Sequence, residues 1–140
     1  MNKILLFTFI IAVMACGHQQ EKEHNHTGSD NEFPEMSTNK GKRWVANVAT
    51  STGVDNMSDY IKKFRPENDI YDSLAQNLEF EYQGIIKNCT MKGEGHQQLH
   101  NFLIPITHYL DILKEGHKDE QAKAVQQLDK HLRIYNDFFE

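Results

Sequence analysis

Long apolar runs, basic patches and cysteine pairs are all missing from this chain of 140 residues. Its one continuous apolar stretch, residues 4–14, falls well short of the roughly 20 residues needed to cross a bilayer. A membrane-spanning helix is therefore excluded there. The stretch follows Lys3 and closes on Val13-Met14-Ala15-Cys16, the layout of a secretory signal peptide. No Lys/Arg-dense face alternates with aromatic residues and the formal charge is −5, which excludes a nucleic-acid binder. The two cysteines, Cys16 at the leader boundary and Cys89, are too few for a disulfide scaffold. There is no Ser/His/Asp order, no glycine-rich phosphate loop after a strand, and no carboxylate pair on a core-facing helical spacing. No enzymatic activity is expected.

Removing residues 1–15 leaves enough chain for one small domain and a tether, with no room for a second core. Lys3 is the only charged residue removed, so the mature chain is one unit more negative. Residues 17–43 are polar and nearly devoid of large apolar groups, so they are expected to form, with Cys16, a disordered tether over 16–43. His18, His24 and His26 in that tether either collect a metal ion loosely or reflect polar composition alone.

The Val13-x-Ala15-Cys16 ending resembles the lipobox of bacterial lipoproteins. That resemblance implies that Cys16 becomes the first residue, carries acyl chains and holds the protein on a membrane of the bacterial cell envelope. One acyl chain anchors only marginally, whereas the triacyl modification of that family anchors firmly. Gly17 supplies no Asp-type inner-membrane retention cue, which points to the outer membrane, facing the periplasm or the surface. With Cys16 acylated, Cys89 is the one remaining thiol: buried, paired between molecules, or a ligand.

From residue 54 onward, apolar residues step by three and four, the period of an α-helix. Val54, Met57, Ile61 and Phe64 form a first stripe, with Ser51 or Thr52 as N-cap and Arg65-Pro66 as the stop. Tyr71, Leu74, Leu78, Tyr82, Ile85 and Cys89 form a second, beginning near Asn68 or Asp69. His96, Leu99, Leu103, Ile106, Leu110 and Leu113 form a third, stopped by Gly116, with Pro105 inside it to remove one backbone bond and bend the axis. Val125, Leu128, Leu132, Tyr135 and Phe139 form a fourth, opened by Asp119. No segment alternates as a strand. Four amphipathic helices on short connections predict an all-α, up-down-up-down four-helix bundle over residues 44–140. Residues 44–48 either extend the first helix or cross the bundle end, where Trp44 is expected to cover the core.

In that topology the start of the first helix, the end of the second, the start of the third and the end of the fourth share one end. They bring Met57, Cys89, Met91, His96, His100 and, farther in, His131 towards one another. At about 1.5 Å per residue, Met57 is expected roughly 8 Å inside its helix and His100 about 9 Å inside its own. His96 and His100 stand one turn apart on one face. Thiolate and thioether favour Cu(I), and imidazole suits copper as well as zinc, so the set leans towards copper in an exported protein. Gly93 and Gly95 would let the intervening turn close tightly. Equally, His96 occupies a core-stripe position, Met57 is an ordinary core filler, and a cysteine such as Cys89 often lies buried and inert. His131 is either a further ligand or a flank residue turned partly to solvent, while His108 and His117 fall outside the site.

The stretch Cys89-Thr90-Met91-Lys92-Gly93-x-x-His96-x-x-Leu99-His100, with Trp44 upstream, resembles a signature of small, uncharacterised bacterial lipoproteins. Residues 53–64 and 103–139 resemble the soluble periplasmic b-type cytochrome four-helix bundle. That second resemblance implies a haem held by a methionine near the start of the first helix, matched by Asp55-Asn56-Met57, and by a histidine near the end of the last. Asn136 occupies the histidine's place. The expected function is thus a lipid-anchored envelope protein binding or buffering copper. The alternatives are a haem-binding bundle or a cofactor-free module that docks a protein partner.

Overall fold

The computed structural model describes residues 33–140, which form one compact unit. The expected leader, the expected lipidation site Cys16 and His18, His24 and His26 lie outside the described residues. Four long helices follow in order: α1 (Val48–Lys63), α2 (Tyr71–Asn88), α3 (Gly93–Glu115) and α4 (Lys118–Arg133), with a single-turn α5 (Tyr135–Phe138) at the end. Each long helix packs on the next and α4 returns to α1, closing an up-down-up-down four-helix bundle. Among the described residues there is no strand, only the isolated bridges Asn39–Lys42 and Trp44–Phe139.

The bundle closes because each helix carries one apolar face. Val54, Met57 and Ile61 from α1 meet Leu74, Leu78 and Ile85 from α2; α3 adds Leu99, Leu103, Ile106, Leu110 and Leu113, and α4 adds Leu128 and Leu132, all buried. Phe102 and Ala124, absent from the expected stripes, are buried too, because the buried arc of a bundle helix is wider than a single three-four seam. Lys62 and Lys63 lie favourably at the C-terminal end of α1, and the backbone N–H of His117 at the start of α4 donates to Glu120 Oε2 at 2.9 Å. Pro105 sits inside α3 without ending it and is itself fully buried.

Three boundaries differ from the sequence expectation. First, α1 begins at Val48, capped at Asn47 rather than at Ser51 or Thr52, with Thr50 Oγ1 donating to Asn47 Oδ1 at 2.8 Å. Second, residues 33–43 are not a disordered tether: residues 33–37 lie along α3, residues 39–42 close a local turn and Arg43 reaches the C-terminal residues, so the packed unit opens ahead of Trp44. Ser37 N–H donates to the buried Gln98 Oε1 at 2.8 Å, Asn101 Nδ2 donates to the Glu35 carbonyl at 3.0 Å, and Phe33 packs edge-on against His108 and Tyr109. These side-chain contacts to backbone give a polar segment hydrogen bonds that hydrophobic patterning does not register. Third, the fourth helix breaks at Ile134, and Tyr135–Phe138 form a separate turn.

Residues 44–46 cross the bundle end beside the C-terminus. Trp44 N–H donates to the Phe138 carbonyl (2.7 Å), Glu140 N–H to the Trp44 carbonyl (2.9 Å) and Ala46 N–H to the Glu140 carbonyl (2.8 Å). Arg43 pairs with Glu140 at 3.0 Å on the exposed side, a contact of small energetic weight. Phe139, fully buried, anchors this clasp from within and stacks on Tyr135. Phe139→Ala should therefore cost about 3–5 kcal/mol, measured as a lowered urea midpoint. An unchanged midpoint would show that the clasp contributes nothing to folding.

Candidate functional site

The chain between α2 and α3 is four residues long, Cys89 to Lys92, so the last turn of one helix must abut the first turn of the other. Cys89 ends α2 in an extended conformation, and Gly93 enters α3 with φ of +63°, a left-handed geometry that glycine adopts without steric cost. Asn47 Nδ2, at the start of α1, donates to the Asn88 carbonyl at 3.1 Å and ties a third helix terminus to the same corner. Gly95 is buried because Trp44 lies against it. A Cβ at that position would stand 3.0 Å from Trp44 Cε3 and 3.5 Å from the Met91 methyl carbon, so indole and thioether share the surface beside His96. Trp44 thus covers the core end as expected, with its Nε1–H donating to the Ser37 carbonyl at 2.6 Å.

Three donor side chains meet in series. Cys89 Sγ lies 3.4 Å from His96 Nδ1, and His96 Nε2 lies 3.0 Å from His100 Nε2, with the two rings edge-on at 4.5 Å between centroids. Cys89, Met91 and His96 are half-buried and His100 is exposed, so the cluster opens to solvent at the α2–α3 corner. Two proton arrangements satisfy both contacts. In one, the thiol donates to His96 Nδ1 and His96 Nε2–H donates to His100. In the other, His100 Nε2–H donates to His96 Nε2 and His96 Nδ1–H donates to a thiolate. Moving two protons along the series interconverts them. Because His96 turns opposite nitrogens to its two neighbours, Cys89, His96 and His100 do not converge on one point. Among the described residues no three His, Cys, Asp or Glu side chains do.

The remaining expected residues lie elsewhere. With α1 starting at Val48, Met57 stands about 14 Å inside its helix, and it is fully buried in the core. His131 turns inward, neither to the cluster nor to solvent. Its Nε2–H donates to the Phe102 carbonyl at 2.7 Å, and its ring stacks on Phe102 at 4.8 Å. Phe102 lies two residues beyond His100, about 200° further round α3, so His131 meets the flank of α3 opposite the His96–His100 pair. The bond ties α4 to α3 three residues before Pro105, whose missing N–H leaves the Asn101 carbonyl, not that of Phe102, without its usual helical donor. Asn136 is exposed, and its carbonyl accepts from Arg43. His108 meets Phe33 and Tyr109 edge-on, and His117 holds the N-cap position of α4.

Asn47 and Gln98 are the site-building residues that the sequence did not single out, and the contact between Trp44 and Gly95, each named there separately, was not foreseen. Trp44 and Gly95 carried a cue, a lone indole and a glycine within the first turn of a helix, but nothing in the sequence paired them. Comparison with known protein families, curated proteins and solved structures finds no match. Among the described residues no helix is long and apolar enough to cross a membrane.

Burial depresses the pKa of His131 below its usual 6.5, outweighing the opposing effect of its bond to the Phe102 carbonyl. The neutral ring is the native form, so its contribution to stability is complete above the unfolded-state value near 6.5 and is lost as pH falls through the lower native value. Urea midpoints taken from pH 7.5 down to pH 5 should fall more steeply for the wild type than for His131→Asn. Parallel profiles would show that His131 is not protonated on unfolding in this range.

Proposed function

We propose that this chain is a lipid-anchored, metal-binding protein of the bacterial cell envelope that takes up or buffers copper at the α2–α3 corner. The observation that carries the reading is the placement of His96, whose ring nitrogens stand 3.4 Å from a thiol and 3.0 Å from a second imidazole. Sulfur and imidazole donors at such separations, half-open to solvent and beside the Met91 thioether, are a soft donor set that copper prefers to calcium or magnesium. Metal binding displaces the protons that now bridge these groups, so uptake is coupled to their release. The leader and the lipobox-like ending before Cys16 support delivery to a membrane surface, where copper arriving from outside the cell is met first.

Haem is the weaker alternative. Met57 has no exposed surface and His131 Nε2 is engaged by the Phe102 carbonyl, so ligation by that pair would require opening a packed core. Copper at the corner requires only side-chain rotation. The full mature chain, with His18, His24 and His26 replaced by glutamine, should bind Cu(I) stoichiometrically in an anaerobic competition titration. His96→Ala should weaken that binding by about 100-fold or more, since even outer-shell partners of a metal are worth about 10–100-fold. No stoichiometric binding, or binding indifferent to His96→Ala, would contradict the proposal.

A further inference from the structure

Resting on the copper reading, we infer that the corner offers copper two distinct positions that share the His96 ring: one for Cu(I) between Cys89 Sγ and His96 Nδ1, and one for Cu(II) between His96 Nε2 and His100 Nε2. An imidazole directs its two nitrogen lone pairs away from each other, so an ion held on one nitrogen is out of reach of the group facing the other. Cys89 and His100 face opposite nitrogens of His96 and therefore serve different ions.

Both separations are also short enough for one ion to replace the bridging proton. A thiolate at about 2.3 Å and an imidazole nitrogen at about 2.0 Å from one ion, at a tetrahedral angle, stand about 3.5 Å apart; the Cys89–His96 separation is 3.4 Å. Two imidazole nitrogens at about 2.0–2.1 Å from one ion and about 90° apart, as in a tetragonal site, stand about 2.9 Å apart; the His96–His100 separation is 3.0 Å. Thiolate selects Cu(I), and tetragonal nitrogen geometry selects Cu(II). The Met91 methyl packs on Gly95, the residue before His96, and the His100 side is open to solvent. His96 cannot be lost without losing both positions, whereas Cys89 and His100 are separable.

The test uses the full mature chain with His18, His24 and His26 replaced by glutamine, and compares Cys89→Ser, His100→Ala and the double variant, each checked for wild-type helical circular dichroism. Cu(I) is titrated anaerobically against a chromophoric chelator. Cu(II) is followed by electron paramagnetic resonance on the Cys89→Ser background in acylated protein, where neither Cys16 nor position 89 offers a thiol to reduce it. Cys89→Ser should weaken Cu(I) by at least about tenfold yet bind Cu(II) with a two-nitrogen signature. His100→Ala should leave Cu(I) affinity within about threefold, and the double variant should lose the Cu(II) signature. If His100→Ala weakens Cu(I) as much as Cys89→Ser does, or if Cys89→Ser binds no Cu(II), a single shared position replaces the two inferred here while copper binding itself stands. If the unsubstituted corner binds neither ion, the copper reading falls and this inference falls with it.

Discussion

Burial of one apolar face per helix against an antiparallel neighbour is the constraint from which the other features follow. Once α2 and α3 run in opposite directions across a four-residue turn, Cys89 and His96 are held on adjoining turns of two rigid rods. Their 3.4 Å approach is a by-product of packing between Leu78, Ile85, Leu99 and Leu103 farther along the same helices. The side chains at the corner are thus oriented by a core to which they contribute little, which is how a fold supports a ligand set without spending its own stability on it.

The same end of the bundle is closed a second time by chain termini. Trp44 to Ala46 and Phe138 to Glu140 exchange backbone hydrogen bonds, and the indole reaches from that clasp onto Gly95. Residues distant in sequence therefore bear on one turn of α3, and the His96 backbone is fixed from two sides. Elsewhere on α3, His131 donates from α4 to the Phe102 carbonyl and so ties the two helices together three residues before Pro105.

Much of this was legible in the sequence because helical burial leaves a period. The stripes through Met57, Leu78, Leu103 and Leu128 named the core, and short loops named the topology, from which the meeting of Cys89, Met91, His96 and His100 at one end followed. What the sequence hid was rotational and local. Whether His131 faced the His96–His100 pair depends on the rotation of α4 about its axis, which stripe assignment alone did not resolve. The depth of Met57 hinged on where α1 begins, and Asn47 gave no stronger capping signal than Ser51 or Thr52. The order of residues 33–43 rests on backbone and amide contacts such as Ser37 to Gln98, which have no hydrophobic signature. The two-sided use of the His96 ring is likewise a matter of side-chain torsion, invisible to spacing.

Copper held at this corner in the cell, with His96 as the ligand on which the ion depends, is what we propose for this chain. Elemental analysis of the full-length protein and of His96→Ala, both purified from a copper-supplied bacterial envelope, addresses it most directly. Stoichiometric copper is expected in the former, and its loss in a variant of unchanged helix content. Equal copper in both, or none in either, would contradict it.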